Sequence, residues 1–238
     1  MKSMACFKVK DSPRGERGSG LTWMEWLEDL FFPPRCLLCG RVVETGRKLC
    51  TRCHEKYRLS PEEQRFTLGT ITALSLFRDS EESRRGVNKV KFQGDPKTLE
   101  YFGLEMAKML RDCCPDPLFD GVTFVPMPTE RQKNRGYNQA EVLARVVARE
   151  LGVPLISNLL EKQDILTQHN LSGSMRRKRG SGCRLIPGAR LQGERLLLVD
   201  DICTTGTTLQ ECGLLLRQAG ASEVAGIVLL RRQKDKEF

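Results

Sequence analysis

The chain has 238 residues, enough for one or two domains with a buried core, and its 39% hydrophobic and 29% charged content is that of a soluble globular protein. No run of about 18 apolar residues occurs, which excludes a membrane-spanning helix on sequence grounds. The formal net charge of +9 suits a polyanionic partner, either nucleic acid or a phosphorylated small molecule, and does not choose between them.

Residues 1–20, MKSMACFKVKDSPRGERGSG, are polar and rich in Gly, Ser and charge. They predict a disordered tail and lack the apolar stretch of a secretory signal. A cytoplasmic location is therefore expected, with reduced thiols rather than structural disulfides for the ten cysteines. In LTWMEWLEDLFF, residues 21–32, the apolar spacing predicts a short amphipathic helix, stopped by Pro33 and Pro34. A cysteine-rich module follows, so residues 21–58 are assigned to helix plus module. Residues 59–67, LSPEEQRFT, read as a linker between two separate cores.

From residue 68 to 238 strand and helix patterns alternate. TITALSLF (70–77) reads as a strand, and 98–114 as a helix with Leu99, Phe102, Met106 and Leu110 on one face. GVTFVP (121–126) is another strand. Asn138, with Glu141 three residues on, predicts a capping box for a helix over 139–151, which Gly152 and Pro154 stop. LLLV (196–199) is a buried strand, 208–220 a helix ended by Gly220, and VAGIVLL (224–230) a strand. Alternation of this kind predicts an α/β fold with a mostly parallel sheet covered on both faces.

Cys36, Cys39, Cys50 and Cys53 form two CxxC knuckles. Each knuckle turns two thiolates toward one point, and two knuckles supply the four soft ligands of a closed tetrahedral Zn²⁺ site. Four thiolates leave no open position, so the zinc would be structural. His54, beside the fourth cysteine, is expected to be exposed rather than a ligand. The remaining cysteines show no metal spacing, and Cys212 is expected to pack in a helix.

The stretch LLLVDDICTTGTT (196–208) runs from a buried strand into Asp200 and Asp201, then a loop predicted at 202–207, then a helix. In open parallel sheets ligands sit at the carboxyl end of the strands. Small residues and a helix start let backbone N–H groups converge on an anion, and hydroxyls of Thr204, Thr205, Thr207 and Thr208 add donors. Gly206 is expected to leave the space that the anion fills. The two carboxylates would repel a phosphate but suit sugar hydroxyls or Mg²⁺. Phosphate at one end and diol-binding acids at the other describe a ribose 5-phosphate. Paired carboxylates with no core contact are expected to contribute nothing to folding.

VDDICTTGTT resembles the phosphoribosyl pyrophosphate signature of type I phosphoribosyltransferases. Together FFPPRCLLCG, LCTRCHEKY, VPMPTERQKNRGYNQAEVLA, TQHNLS and the signature resemble, in order, the ComF (GntX-like) family over about residues 27–232. That resemblance implies a zinc ribbon followed by an amidophosphoribosyltransferase-like domain of the type I phosphoribosyltransferase fold. It implies an acidic pair, Asp200 and Asp201, on the ribose hydroxyls, with Cys203 to Thr208 as the 5-phosphate loop. In the same way it implies a pyrophosphate loop at 125–128 with Met127 and Pro128, extended by Arg135. Residues 164–182 would be the flexible loop, whose Arg176, Arg177, Lys178 and Arg179 would neutralise pyrophosphate; Met175 and Arg179 stand where the family commonly has an acid and an Asn. The implied activity is Mg²⁺-assisted phosphoribosyl transfer, a glycosyltransferase reaction. The alternative is a non-catalytic accessory of DNA uptake in competence, binding single-stranded DNA or a helicase partner.

Overall fold

The computed structural model describes residues 31–93, 96–113, 119–163 and 181–232. The predicted tail, nearly all of the 21–32 helix, and Arg176, Arg177 and Lys178 lie outside the described residues. The elements run α1 (Thr51–Tyr57), α2 (Pro61–Gln64), β1 (Arg65–Leu68), β2 (Ile71–Phe77), α3 (Glu81–Gln93), α4 (Pro96–Cys113) and β3 (Gly121–Phe124). They continue with α5 (Thr129–Arg135), α6 (Gln139–Leu151), β4 (Leu160–Lys162), β5 (Cys183–Leu185), β6 (Arg195–Cys203), α7 (Thr207–Gln218) and β7 (Glu223–Arg231).

The main sheet has the order β1-β2-β7-β6-β3. Only β1 is antiparallel; β2, β7, β6 and β3 run parallel. Leu196 to Val199 are fully buried because helices cover both faces, so that run has no polar alternation. On one face α4 and α6 pack Leu99, Phe102, Met106, Leu143 and Val147 against Leu197 and Val199. On the other, Leu209, Cys212 and Leu216 of α7 meet Leu196, Leu198 and Val228. Cys212 is fully buried in α7, as expected.

The linker reading of 59–67 is corrected. Ser60 caps α2 in a full capping box with Glu63, and Arg65–Leu68 then form the edge strand of the main sheet. Its Phe66 is buried, with the Arg231 guanidinium 4.4 Å above the ring. The segment carries few apolar residues because an edge strand buries only one of its faces.

Nor are there two separate cores. Cys36, Leu38, Val43, Leu49, Cys53 and Tyr57 of the cysteine module belong to the same buried cluster as Phe77, Phe102 and Met106. Backbone bonds stitch the seam: the Arg78 N–H donates to the Tyr57 carbonyl at 2.7 Å. The capping box at α6 is corrected too. Asn138 accepts the Ala140 N–H at 3.1 Å, but Glu141 pairs with Arg145 one turn on, at 2.8 Å. Helix α3, polar along most of its length, was not foreseen; Ser80 starts it by accepting the Ser83 N–H.

Candidate functional site

Strand β6 carries the first half of the site. It continues through the acidic pair to Cys203 rather than ending at Val199, because the ladder to β7 persists from Asp200↔Val228 to Cys203↔Arg231. Asp200 and Asp201 are therefore strand residues, half-buried. The Asp201 N–H donates to Asp200 Oδ1 at 2.8 Å, and the Ile202 N–H to Asp201 Oδ1 at 2.7 Å. The expectation that these carboxylates serve nothing in the fold is corrected by those two bonds. Cys203, grouped with the loop in the sequence, has its side chain in the α7-side cluster. Burial and then the Asp200 charge push its thiol up to about 11, so it stays protonated at neutral pH.

The loop proper is Thr204–Gly206. Thr204, Thr205 and Thr207 are exposed, and the hydroxyls of Thr205 and Thr207 lie 2.9 Å apart. Gly206 is the N-cap of α7 with φ +79, and no side chain caps the helix. Gly206 has no side chain to cap this 12-residue helix, and of the hydroxyls before it only that of Thr205 is seen to reach back, accepting the Thr207 N–H at 3.4 Å. The role expected for Gly206 is corrected: a Cβ there would sit 2.5 Å from Leu68 Cδ2, pointing into β1 and not into an anion space. The glycine answers a positive φ and a close approach.

The second half comes from the 125–128 segment. The Val125 N–H donates to the Val199 carbonyl at 2.9 Å, which brings this segment beside the acidic pair. Val125, Pro126 and Pro128 are buried and Met127 is half-buried; Pro128 starts α5, which ends at Arg135. Asn138 Nδ2 donates to the Val125 carbonyl at 3.0 Å, holding the segment from behind. The base of the 164–182 segment is also fixed. β4 and β5 pair antiparallel, and the Gln163 N–H donates to the Gly182 carbonyl at 3.1 Å. Glu211 of α7 accepts the Ser181 N–H, tying that base to the helix behind the threonine loop. Neither Asn138 as a loop anchor nor Glu211 was read from the sequence; the RGYNQ block was the only signal pointing to the first.

At the other end of the chain, the four sulfurs of Cys36, Cys39, Cys50 and Cys53 lie within 4.8 Å of one another, and those of Cys39 and Cys50 are 3.7 Å apart. Tetrahedral zinc with Zn–S of about 2.3 Å requires sulfurs about 3.8 Å apart, so the cluster fits one ion. Cys36 and Cys53 are buried, which suits a structural role. His54 is half-buried rather than exposed. Burial lowers its imidazole pKa, and Arg58 Nη1 lies 3.0 Å from Nε2. Beside it a cavity of about 330 Å³ is lined by Arg47, Lys48, Thr51, His54 and Tyr101.

Competence protein F of Haemophilus influenzae is 36% identical over 200 residues, 80% of this chain and 82% of that protein. The chain belongs to the ComF family. Competence protein ComFC of Bacillus subtilis, another relative, is 28% identical over 82% of this chain and 77% of its own. Within this ComF chain, residues 27–65 match a double zinc ribbon domain and residues 138–238 a phosphoribosyl transferase domain. The zinc-ribbon span holds four cysteines, ligands for one ion. The α/β domain of this chain, by the match over residues 138–238, has a phosphoribosyltransferase fold. A solved structure of the glutamine phosphoribosylpyrophosphate amidotransferase from B. subtilis, complexed with ADP and GMP, is similar over 56% of this chain and 26% of its own. There the identity is 24% and the TM-score 0.41. Among the described residues of this ComF chain, no helix is long and apolar enough to cross a membrane.

Proposed function

We propose that the chain binds phosphoribosyl pyrophosphate with Mg²⁺ at the carboxyl edge of the sheet and transfers the phosphoribosyl group to an acceptor nucleophile. The observation that carries this reading is the run from the acidic pair in β6, through the exposed hydroxyls of Thr204, Thr205 and Thr207, to the start of α7 at its glycine N-cap. Anions gain at such a helix start, and diol hydroxyls gain at paired carboxylates. In this reading the backbone and hydroxyls of Thr204–Thr208 hold the 5-phosphate. Asp200 and Asp201 hold the ribose, and the Val125–Pro128 segment faces the pyrophosphate, with Arg135 and Arg176–Lys178 adding positive charge. Mg²⁺, when bound, neutralises charge on the pyrophosphate. The C1–oxygen bond to pyrophosphate breaks as the acceptor bonds to C1, so positioning and charge stabilisation dominate over proton transfer. Isothermal calorimetry with phosphoribosyl pyrophosphate and Mg²⁺ tests it; no heat of binding at saturating ligand would remove this reading.

A second reading is favoured by the basic cavity beside the zinc ribbon and by the relatives' names, competence protein F and, for a relative from Salmonella typhi, DNA utilization protein YhgH. Here the chain is a DNA-handling accessory, and Arg47, Lys48 and His54 take phosphates of single-stranded DNA or face a helicase partner. Thermal shift separates the two: ligand and Mg²⁺ stabilise the protein in the first reading, single-stranded DNA in the second.

A further inference from the structure

Among the described residues several buried polar side chains are visibly paired. Gln64 donates to the Leu59 carbonyl, Ser75 to the Phe77 carbonyl, and Asn138 both caps α6 and donates to Val125. Gln139 departs from this pattern. It is 2% exposed, and neither Nε2 nor Oε1 has a hydrogen-bond partner among the described residues. A buried carboxamide left unpaired is destabilising, so its retention asks for a partner that arrives later.

Its place in the fold says where that partner comes from. Gln139 is the first residue of α6 and lies one turn before Leu143, on the stripe that packs with Leu197 and Val199. Helical side chains lean toward the helix N-terminus, so this one leans past the start of α6. That start is pinned to the carboxyl edge of the sheet: Asn138 bonds the Val125 carbonyl, and the Val125 N–H bonds Val199, the residue before Asp200. The first turn of α6, which carries Gln139, is thus held at the edge where the acidic pair sits.

The chemistry is complementary. A carboxylate only accepts hydrogen bonds. A sugar hydroxyl that gives its proton to Asp200 or Asp201 keeps lone pairs that need a donor, and the amide N–H₂ of Gln139 is one. Its carbonyl accepts from a second hydroxyl. We infer that Gln139 binds the pentose hydroxyls of the ligand, a residue of the site beyond the acidic pair and the threonine loop. This rests on the phosphoribosyl reading above.

The test uses the full-length protein and its Gln139→Met and Gln139→Glu variants. Each is melted without ligand, then titrated by calorimetry with phosphoribosyl pyrophosphate plus Mg²⁺, ribose 5-phosphate, and pyrophosphate plus Mg²⁺. Gln139→Met removes the orphaned group at similar volume, so it melts at or above the parent. It binds both pentose ligands about tenfold or more weakly, as expected for one or two lost hydrogen bonds, while pyrophosphate binding is unchanged. Gln139→Glu, which loses the donor and adds a third carboxylate, binds the pentose ligands more weakly still. A Gln139→Met protein melting several degrees lower shows an internal partner and overturns the inference. So does unchanged affinity for ribose 5-phosphate in either variant. If the parent binds no pentose ligand, the phosphoribosyl reading falls and takes this one with it; if the parent binds and the Gln139 variants bind equally well, this inference falls alone.

Discussion

Leu38 of the zinc ribbon lies against Gly86 of α3 so closely that a Cβ on Gly86 would come within 2.4 Å of Leu38 Cδ2 and 3.0 Å of Leu38 Cα. Backbone, not only a flexible side-chain tip, fills that space. The ribbon is therefore built into the α/β domain. Gly86→Ala gains helix propensity, yet the clash with backbone wins, and the variant is expected to be about 1–3 kcal/mol less stable. Urea unfolding against the parent measures this.

The shared core changes what zinc removal does. Leu38, Val43 and Leu49 surround the thiol cluster and join the cluster of Phe77 and Phe102. Chelation, or Cys36→Ser, should lower the melting temperature of the whole protein and not merely loosen an appended module. Metal analysis is expected to give about one Zn²⁺ per chain. A variant with an unchanged main melting transition would show the ribbon to be energetically separate.

Asp200→Asn with Asp201→Asn should abolish binding of phosphoribosyl pyrophosphate and Mg²⁺. Each carboxylate accepts the next residue's backbone N–H, and an Asn carbonyl oxygen accepts the same bond. Stability should therefore fall by no more than about 1 kcal/mol, the scale of weakening one such bond. Calorimetry and a thermal melt on the same sample separate the two effects.

Gly206→Ala should destabilise before it affects any ligand. A positive φ and a Cβ 2.5 Å from Leu68 Cδ2 together cost about 1–3 kcal/mol. Pairing it with Leu68→Ala makes room for the Cβ and should recover part of the loss relative to Leu68→Ala alone. A double-mutant cycle with no coupling would contradict the Leu68 contact.

Acid should weaken one tie at the start of the sheet. Arg195 donates to Asp120 from its side chain and backbone, both at 2.8 Å, and holds the carboxyl down to about 2. A depressed carboxylate stabilises the fold above its unfolded pKa, about 4, and that contribution is lost as pH falls from about 4 to about 2. Asp120→Asn should remove this part of the acid dependence, visible in melts across that range.

The two CxxC knuckles, the parallel strands, the main helices and the strand–acid–threonine run were legible in the sequence, because each follows from local spacing. Ligand-turning knuckles, buried apolar runs and a helix start need only neighbours along the chain. Tertiary structure alone decided the rest. Whether 59–67 was linker or strand depended on β2 offering an edge to β1. Whether Gly206 made room for an anion or for Leu68 depended on where that hairpin lay. Whether Asn138 only capped a helix, or also held the 125–128 segment, depended on a contact 13 residues away. The seam between ribbon and α/β domain had no local signature, since Leu38 and Gly86 meet only once the whole sheet and its helices are in place. Contacts distant in the chain become favourable only when folding has already brought the elements together.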